Sequence, residues 1–173
     1  MNATSSEKEV HERIVDWIQL VTGLTTIKNH QGGGRPSGSY IMLNFLRGPI
    51  DVRFLPAATE YRGTGENNSE GNEQIEAVPV IESEWVFSIN SMRGDDVMAP
   101  IRKLRSRAKI QGPQLGLDPL LSIHKIGEPR NLPEKINHEY EERGHAMIHI
   151  RGYTRDGFLI DVIDNAPVNM TRT

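Results

Sequence analysis

Two hydrophobic rhythms run along this chain, and between Glu84 and Lys109 they stand back to back. Trp85, Phe87 and Ile89 alternate with Val86, Ser88 and Asn90. That period of two marks a strand with one strongly apolar face. Val97, Ile101, Leu104 and Ala108 then fall at i, i+4, i+7 and i+11, a single helical stripe. Arg93-Gly94-Asp95-Asp96 joins the two as a turn followed by a cap. A short carboxylate there can accept from the free backbone N–H groups of the first turn. Pro100 falls in that turn, where a missing N–H costs least, and Gly112-Pro113 ends the helix. The two stripes are buried together when strand and helix pack face to face.

The same patterns predict the other elements as layers on this unit. Ser6-Glu7-Lys8-Glu9 has the form of a capping box. Val10, Ile14, Trp17, Ile18 and Val21 follow on one face, and Gly23 suits the left-handed residue after a helix. A helix is expected over 7–22. Tyr40 to Leu46 reads as a strand, and Ile50, Val52 and Phe54 could extend a strand or form a small arm. Periodicity fades from Arg47 to Gln74, and Pro56 to Glu73 is rich in Gly, Asn, Ser and Glu. Residues 47–74 are therefore expected to be an extended loop insertion, with Pro56–Glu73 mobile in a free subunit and ordered only against a neighbour. Ile75 to Ile81 leads into the central strand. Leu115, Leu117 and Leu120 are candidates for the bottom of the core, and Leu121 to Ile126 for a strand. Glu128 to Arg143 is ambiguous, with Asn137–Arg143 either a helical turn or the start of a long strand. His145 to Tyr153 alternates, Arg155-Asp156-Gly157 reads as a hairpin turn, and Phe158, Ile160 and Val162 alternate again. The expected fold is α+β: an antiparallel or mixed sheet with two helices packed on one face and a long insertion loop. Residues 1–173 form one domain, with 1–5 and 167–173 as loose tails.

Composition narrows the function. The 173 residues are 36% hydrophobic and 6% aromatic, so the core is modest for the length. A net charge of −3 argues against a protein whose main task is gripping nucleic acid. There is no cysteine, hence no disulfide and no thiolate metal site. The start is polar, without the apolar run of a signal peptide, and no stretch approaches the roughly 20 apolar residues of a membrane span. No membrane partner is expected.

Candidate chemistry is sparse. Gln31-Gly32-Gly33-Gly34-Arg35-Pro36-Ser37-Gly38 invites a phosphate-cradle reading. That motif needs a strand before the glycines and Gly-Lys-Ser/Thr leading into a helix. Here the glycines lead to a strand, so a crossing loop running close to other backbone is the simpler reading. A small ligand-binding domain or enzyme using Gly32–Gly34 is the alternative function. His145 and His149 are four apart but lie in a strand, which sets them about 13 Å apart along its axis. His11, His30, His124 and His138 show no ligand spacing, and no Gly-x-Ser-x-Gly elbow is present. Glu139, Glu141 and Glu142 sit among charges and read as a solvated face. No catalytic residue, metal or cofactor is expected.

The second helix is a stronger lead. Arg102, Lys103, Arg105, Arg107 and Lys109 occupy the arc left by its apolar stripe. Such a face is often merely solvated. The same chain, however, has seven glutamates against the single Arg62 between Ala57 and Glu84. Opposite signs on one subunit suit head-to-tail contacts between identical copies, which close into rings. The candidate interface pairs Arg102, Arg105 and Lys109 with Glu66, Glu70 and Glu73.

Four stretches, in order over nearly the whole chain, also carry a family likeness. An N-terminal helix with Trp17-Ile18 ends in Thr22-Gly23-Leu24. Gln31, Arg35-Pro36 and Tyr40-Ile41-Met42-Leu43 lead into the first long strand. Trp85-Val86-Phe87-Ser88-Ile89 precedes Arg93-Gly94-Asp95 and a helix. Glu141-Glu142-Arg143-Gly144 leads to a final hairpin with Tyr153. Together these resemble the neck, or tail-terminator, proteins of tailed bacteriophages. The resemblance implies a virion protein, made in the host cytoplasm, that assembles with itself into a hexameric ring in the neck. It implies as partners the tail tube protein, the sheath of a contractile tail, and the head–tail connector or adaptor proteins. It implies that the ring ends tube growth and that genomic DNA passes through the lumen without specific binding. It carries over no catalytic residue. The acidic insertion departs from the family pattern, so its role rests on charge alone.

Overall fold

The computed structural model describes residues 7–29, 34–53, 57–68, 71, 73–110, 116–117, 120–136 and 139–161. Its elements run α1 (Glu7–Thr22), β1 (Thr25–Lys28), β2 (Tyr40–Asp51), β3 (Ala58–Asn67), β4 (Glu73–Met92), α2 (Ala99–Ala108), β5 (Ser122–Ile126), β6 (Arg130–Asn131), β7 (Glu134–Ile136), β8 (Glu139–Glu141), β9 (Arg143–Arg155) and β10 (Phe158–Asp161). Two helices and a mixed sheet of eight strands make an α+β fold, as the patterning predicts. A separate two-stranded sheet pairs β7 with β8. The chain divides into two compact units, Met1–Phe54 with Glu82–Thr154, and Leu55–Ile81 with Arg155–Thr173.

The first unit holds the core. Its strands follow the order β1-β2-β4-β9-β5, with β6 on β9. Trp85, Phe87 and Ile89 of β4 join Ile41 and Leu43 of β2 and Ile148 and Ile150 of β9 on one face. That face meets the buried stripe of α1, namely Val10, Ile14, Trp17, Ile18 and Val21, and Leu104 of α2. Each such side chain taken fully out of water contributes about 1.5–3 kcal/mol before ordering costs. At the end of α1, Gly23 takes φ +76° and donates its N–H to Gln19 O at 2.8 Å. The proposed cap at Ser6 lies outside the described residues. Before α2, Asp96 Oδ1 accepts from the N–H groups of Met98 and Ala99, both at 3.0 Å, in the turn that leads into the helix. The N-cap position itself is Met98, whose side chain makes no cap, so the carboxylate acts in the turn before the helix rather than at the cap as expected.

Several expectations needed correction here. On β4, Val86, Ser88 and Asn90 are buried as well as Trp85, Phe87 and Ile89. A central strand flanked by β2 and β9 has its second face covered by neighbouring side chains. Leu121, not Leu120, enters the core, while Leu117 packs against it; Leu115 lies outside the described residues. β1 had no sequence signal, because four residues with one large apolar side chain show no period. It pairs in parallel with β2; Gln31, Gly32 and Gly33 of the glycine-rich stretch lie outside the described residues. At Gly34 and Gly38 an added Cβ would meet nothing within 4 Å, so close backbone approach is not what those two glycines serve. The Glu128–Arg143 segment contains β6, β7 and β8 rather than a helical turn at Glu139–Glu141.

The second unit is a three-stranded antiparallel ribbon. β3 and β10 both pair with the first half of β4, and both meet Ala77, Glu76 and Ile75, so they take opposite edges. Ala58–Asn67 is therefore a strand where the sequence reads as loop. Its side chains carry little apolar alternation, and the pairing edge of β4 is what extends it. Thr64 Oγ1 donates to Gln74 O at 2.9 Å near the hairpin end. Asp156-Gly157 does not close a β9–β10 hairpin. β9 already has β4 on one edge and β5 and β6 on the other, so β10 finds its partner in β4.

Candidate functional site

Three of the stretches marked in the sequence converge on Arg93. This residue follows the end of β4 in a left-handed conformation, φ +55°, which is uncommon for a residue other than glycine. Its Nη1 donates to Pro36 O at 2.6 Å and its Nε to Glu141 Oε1 at 3.1 Å. The guanidinium lies 5.8 Å from the centre of the Tyr40 ring. Its own carbonyl accepts from Ser39 Oγ. One side chain thus ties together the loop before β2, the turn before α2 and the strand β8. An open depression of about 500 Å³ beside it is lined by Ser39, Gly94, Asp95, Tyr140, Glu141 and Glu142. The Arg93–Glu141 pair is partly exposed, so its stabilisation is small, about 0–1 kcal/mol. The junction is suited to holding loops in place.

Gly144, in the same marked stretch as Glu141, has a steric role. A Cβ there would lie 2.2 Å from Val97 O and 3.2 Å from Ile101 Cδ1. The start of α2 rests directly on the backbone of β9.

The basic side chains of α2 divide by environment. Arg102, Arg105 and Lys109, at i, i+3 and i+7, share one helix face. Arg102 is engaged with Asp96 of its own chain, Arg105 is half-buried and Lys109 is exposed. The Arg102 guanidinium holds the Asp96 carboxyl below its ordinary range against an opposing desolvation, helped by the Met98 and Ala99 N–H groups. On the second unit, Glu66 and Glu73 both stand at the β3–β4 hairpin end, where Asn67 pairs with Glu73. Glu70 lies outside the described residues. Beside the basic face, Leu20 and Val21 of α1 and Lys103, Ser106, Arg107 and Ile110 line a groove of about 480 Å³.

Comparison with known families places these features in context. A profile of the phage neck terminator protein family matches residues 8–173. The chain belongs to that family. Comparison with curated proteins returns no match. The matched region contains all of α1 but its first residue, all of α2, and every strand among the described residues. A neck terminator is a structural component of the phage particle that associates with other tail and head proteins. In this neck terminator no helix among the described residues is long and apolar enough to cross a membrane.

One polar cluster of the neck terminator has no counterpart in the sequence reading. Glu84 on β4 accepts from His149 Nδ1 at 3.0 Å and from Arg151 Nε at 3.2 Å, both on β9. Arg151 Nη2 donates to His124 Nε2 on β5 at 3.2 Å. The hydrogen bond from His149, and then that from Arg151, hold the Glu84 carboxyl below its usual range despite desolvation. Histidine spacing along the chain misses this group, because its members are neighbours across strands. His145 instead meets Asn90 Oδ1 at 3.1 Å, and burial, with Arg130 and Arg143 nearby, favours its neutral ring. Among the described residues no three His, Asp or Glu side chains gather in a metal-holding group.

Proposed function

We propose that this neck terminator forms a homo-oligomeric ring, a hexamer, that caps the head-proximal end of the tail tube. Occupying the surface where the next tube ring would add stops elongation without chemistry. The opposite surface of the ring receives the head–tail connector or adaptor proteins, and the sheath is a further neighbour in a contractile tail. Genomic DNA passes through the lumen without specific binding. The observation that carries this reading is the family match over 8–173. The division of charge supports it: Arg105 and Lys109 on α2, Glu66 and Glu73 at the hairpin end, on a chain with net charge −3. A subunit that presents two different, complementary surfaces makes heterologous contacts, which close into a ring when the rotation allows. The finer interface assigns Arg102, Arg105 and Lys109 of one copy to Glu66, Glu70 and Glu73 of the next.

Light scattering of the purified protein, with negative-stain microscopy of the same sample, tests the ring. The expected result is a mass near six subunits and annular particles. A monomer at every concentration tested would overturn the proposal.

A further inference from the structure

The ribbon of β3, β4 and β10 has two unlike faces. Residues opposite one another in an antiparallel sheet point to the same side. Tyr61, Ala77 and Phe158 therefore form one row, and Gly63, Ile75 and Ile160 the next, with Thr59 and Pro79 beyond. These rows are themselves uncharged, and the Glu73 carboxylate reaches over Gly63 at their hairpin end, where a Cβ would stand 2.9 Å from Oε1. Tyr61 is 67% exposed, Phe158 61% and Ile160 41%. The other face carries Glu60, Arg62 and Glu76, with Leu159 opposite Glu76 at its edge and 65% exposed. There Arg62 Nη2 pairs with Glu60 Oε2 at 2.6 Å, Arg155 lies 3.5 Å from Glu60 Oε1, and Val78 is 3% exposed. Ordinarily the apolar face of an antiparallel sheet is the covered one. Here the charged face is organised and the apolar face is open, which marks an interaction surface.

The first unit has a cavity of matching chemistry. The groove beside α2 has an apolar floor in which Leu20 is 70% and Ile110 39% exposed, and its rim carries Lys103 and Arg107. The ribbon carries the opposite sign at its margins, with Glu66 and Glu73 at the hairpin end and Asp156 before β10.

We infer that the apolar face of the ribbon of one subunit docks into the α1–α2 groove of a second copy of the chain. Tyr61 and Phe158 lie against Leu20 and Ile110, Asp156 meets Lys103 and Arg107 at the rim, and Glu66 and Glu73 remain with Arg105 and Lys109 on the adjoining face of the helix. The occupant is a second copy because both halves of the complementary pair belong to one sequence, and the contact is heterologous, as a ring needs. This rests on the ring reading and adds the surfaces that make it. It places the main attraction in apolar burial, with charge setting the register.

The chain has no cysteine, so introduced thiols report one contact each. Thr59→Cys in one preparation and Ser106→Cys in another are mixed, assembled and treated with a short bismaleimide. A cross-linked dimer is expected in the mixture and in neither preparation alone, since only a contact between copies joins the two sites. In parallel, Tyr61→Glu with Phe158→Glu is expected to shift the scattering mass from ring to monomer with the far-UV circular dichroism retained. Rings that persist in the double variant, with no cross-link in the mixture, would overturn the docking while leaving the ring intact. In that case protection of Phe158 only in particles joined to tubes or connectors would assign the face to another phage protein. A wild-type chain that is always monomeric would overturn both readings.

Discussion

Gly144 shows how little space separates the start of α2 from β9. The atom nearest an added Cβ is a backbone oxygen, Val97 O at 2.2 Å, which cannot swing aside as a side chain can. Gly144→Ala is expected to destabilise the subunit by about 1–3 kcal/mol, the usual range for overpacking. A urea midpoint equal to wild type would remove the close-packing account. His11 is a second sensitive residue. Its ring lies 5.2 Å from that of Phe87, its Nε2 is buried without a partner, and its pKa is lowered to about 4, first by burial, then by Lys28, with Glu12 opposing. An unfolded histidine titrates near 6.5, so between that value and about 4 the unfolded chain binds more protons. Stability contributed by neutral His11 is present above about 6.5 and lost as pH falls towards 4. Discounted for the solvent that reaches a half-buried ring, the loss is about 1–2 kcal/mol. His11→Leu should flatten that part of the stability profile, and an unchanged slope between pH 6.5 and 4 would argue against the assignment.

At the scale of elements, α2 is asked to do two things. Ile101 and Leu104 anchor it in the core, and Arg102, Arg105 and Lys109 lie off that stripe. Reversing all three to glutamate is expected to weaken assembly while leaving the subunit folded. Arg102→Glu also sets a like charge beside Asp96, at the start of the helix. The double reversal of Arg105 and Lys109 is therefore the cleaner variant. High salt should act in the same direction, because exposed charges are screened over about 8–10 Å. Sedimentation velocity at low and high salt reads both effects, and assembly unmoved by either change would remove charge from the account of cohesion.

For the whole molecule, the prediction concerns tails. A ring that covers the growing end of a tube limits length by occupancy, so its loss should leave DNA-filled heads and tails of uncontrolled length. A phage with an early stop codon in this gene, examined by electron microscopy, provides the measurement. Polytails, or unjoined heads and tails, are the expected outcome. Normal joined virions with tails of normal length would falsify the proposed function.

Elements whose own residues bury a periodic face were legible in the sequence. α1 occupies Glu7–Thr22 as its stripe and Gly23 predict, and Trp85, Phe87 and Ile89 face α1 and α2 as their alternation predicts. The Asp96 bonds to the backbone entering α2 were legible for a similar reason, since they reach residues only two and three positions away. Pairing between distant strands was not, because backbone hydrogen bonds leave no mark on side-chain identity. β1 exists because β2 lies beside it, β3 because β4 offers an edge, and β10 turns to β4 because both edges of β9 are taken. The candidate surfaces divide likewise. The basic arc of α2 follows from helical spacing alone. The gathering of Pro36, Tyr40 and Glu141 around Arg93, and the uncharged rows on the ribbon, depend on strand register. Register is set by the fit of whole faces against one another, which only the tertiary structure decides.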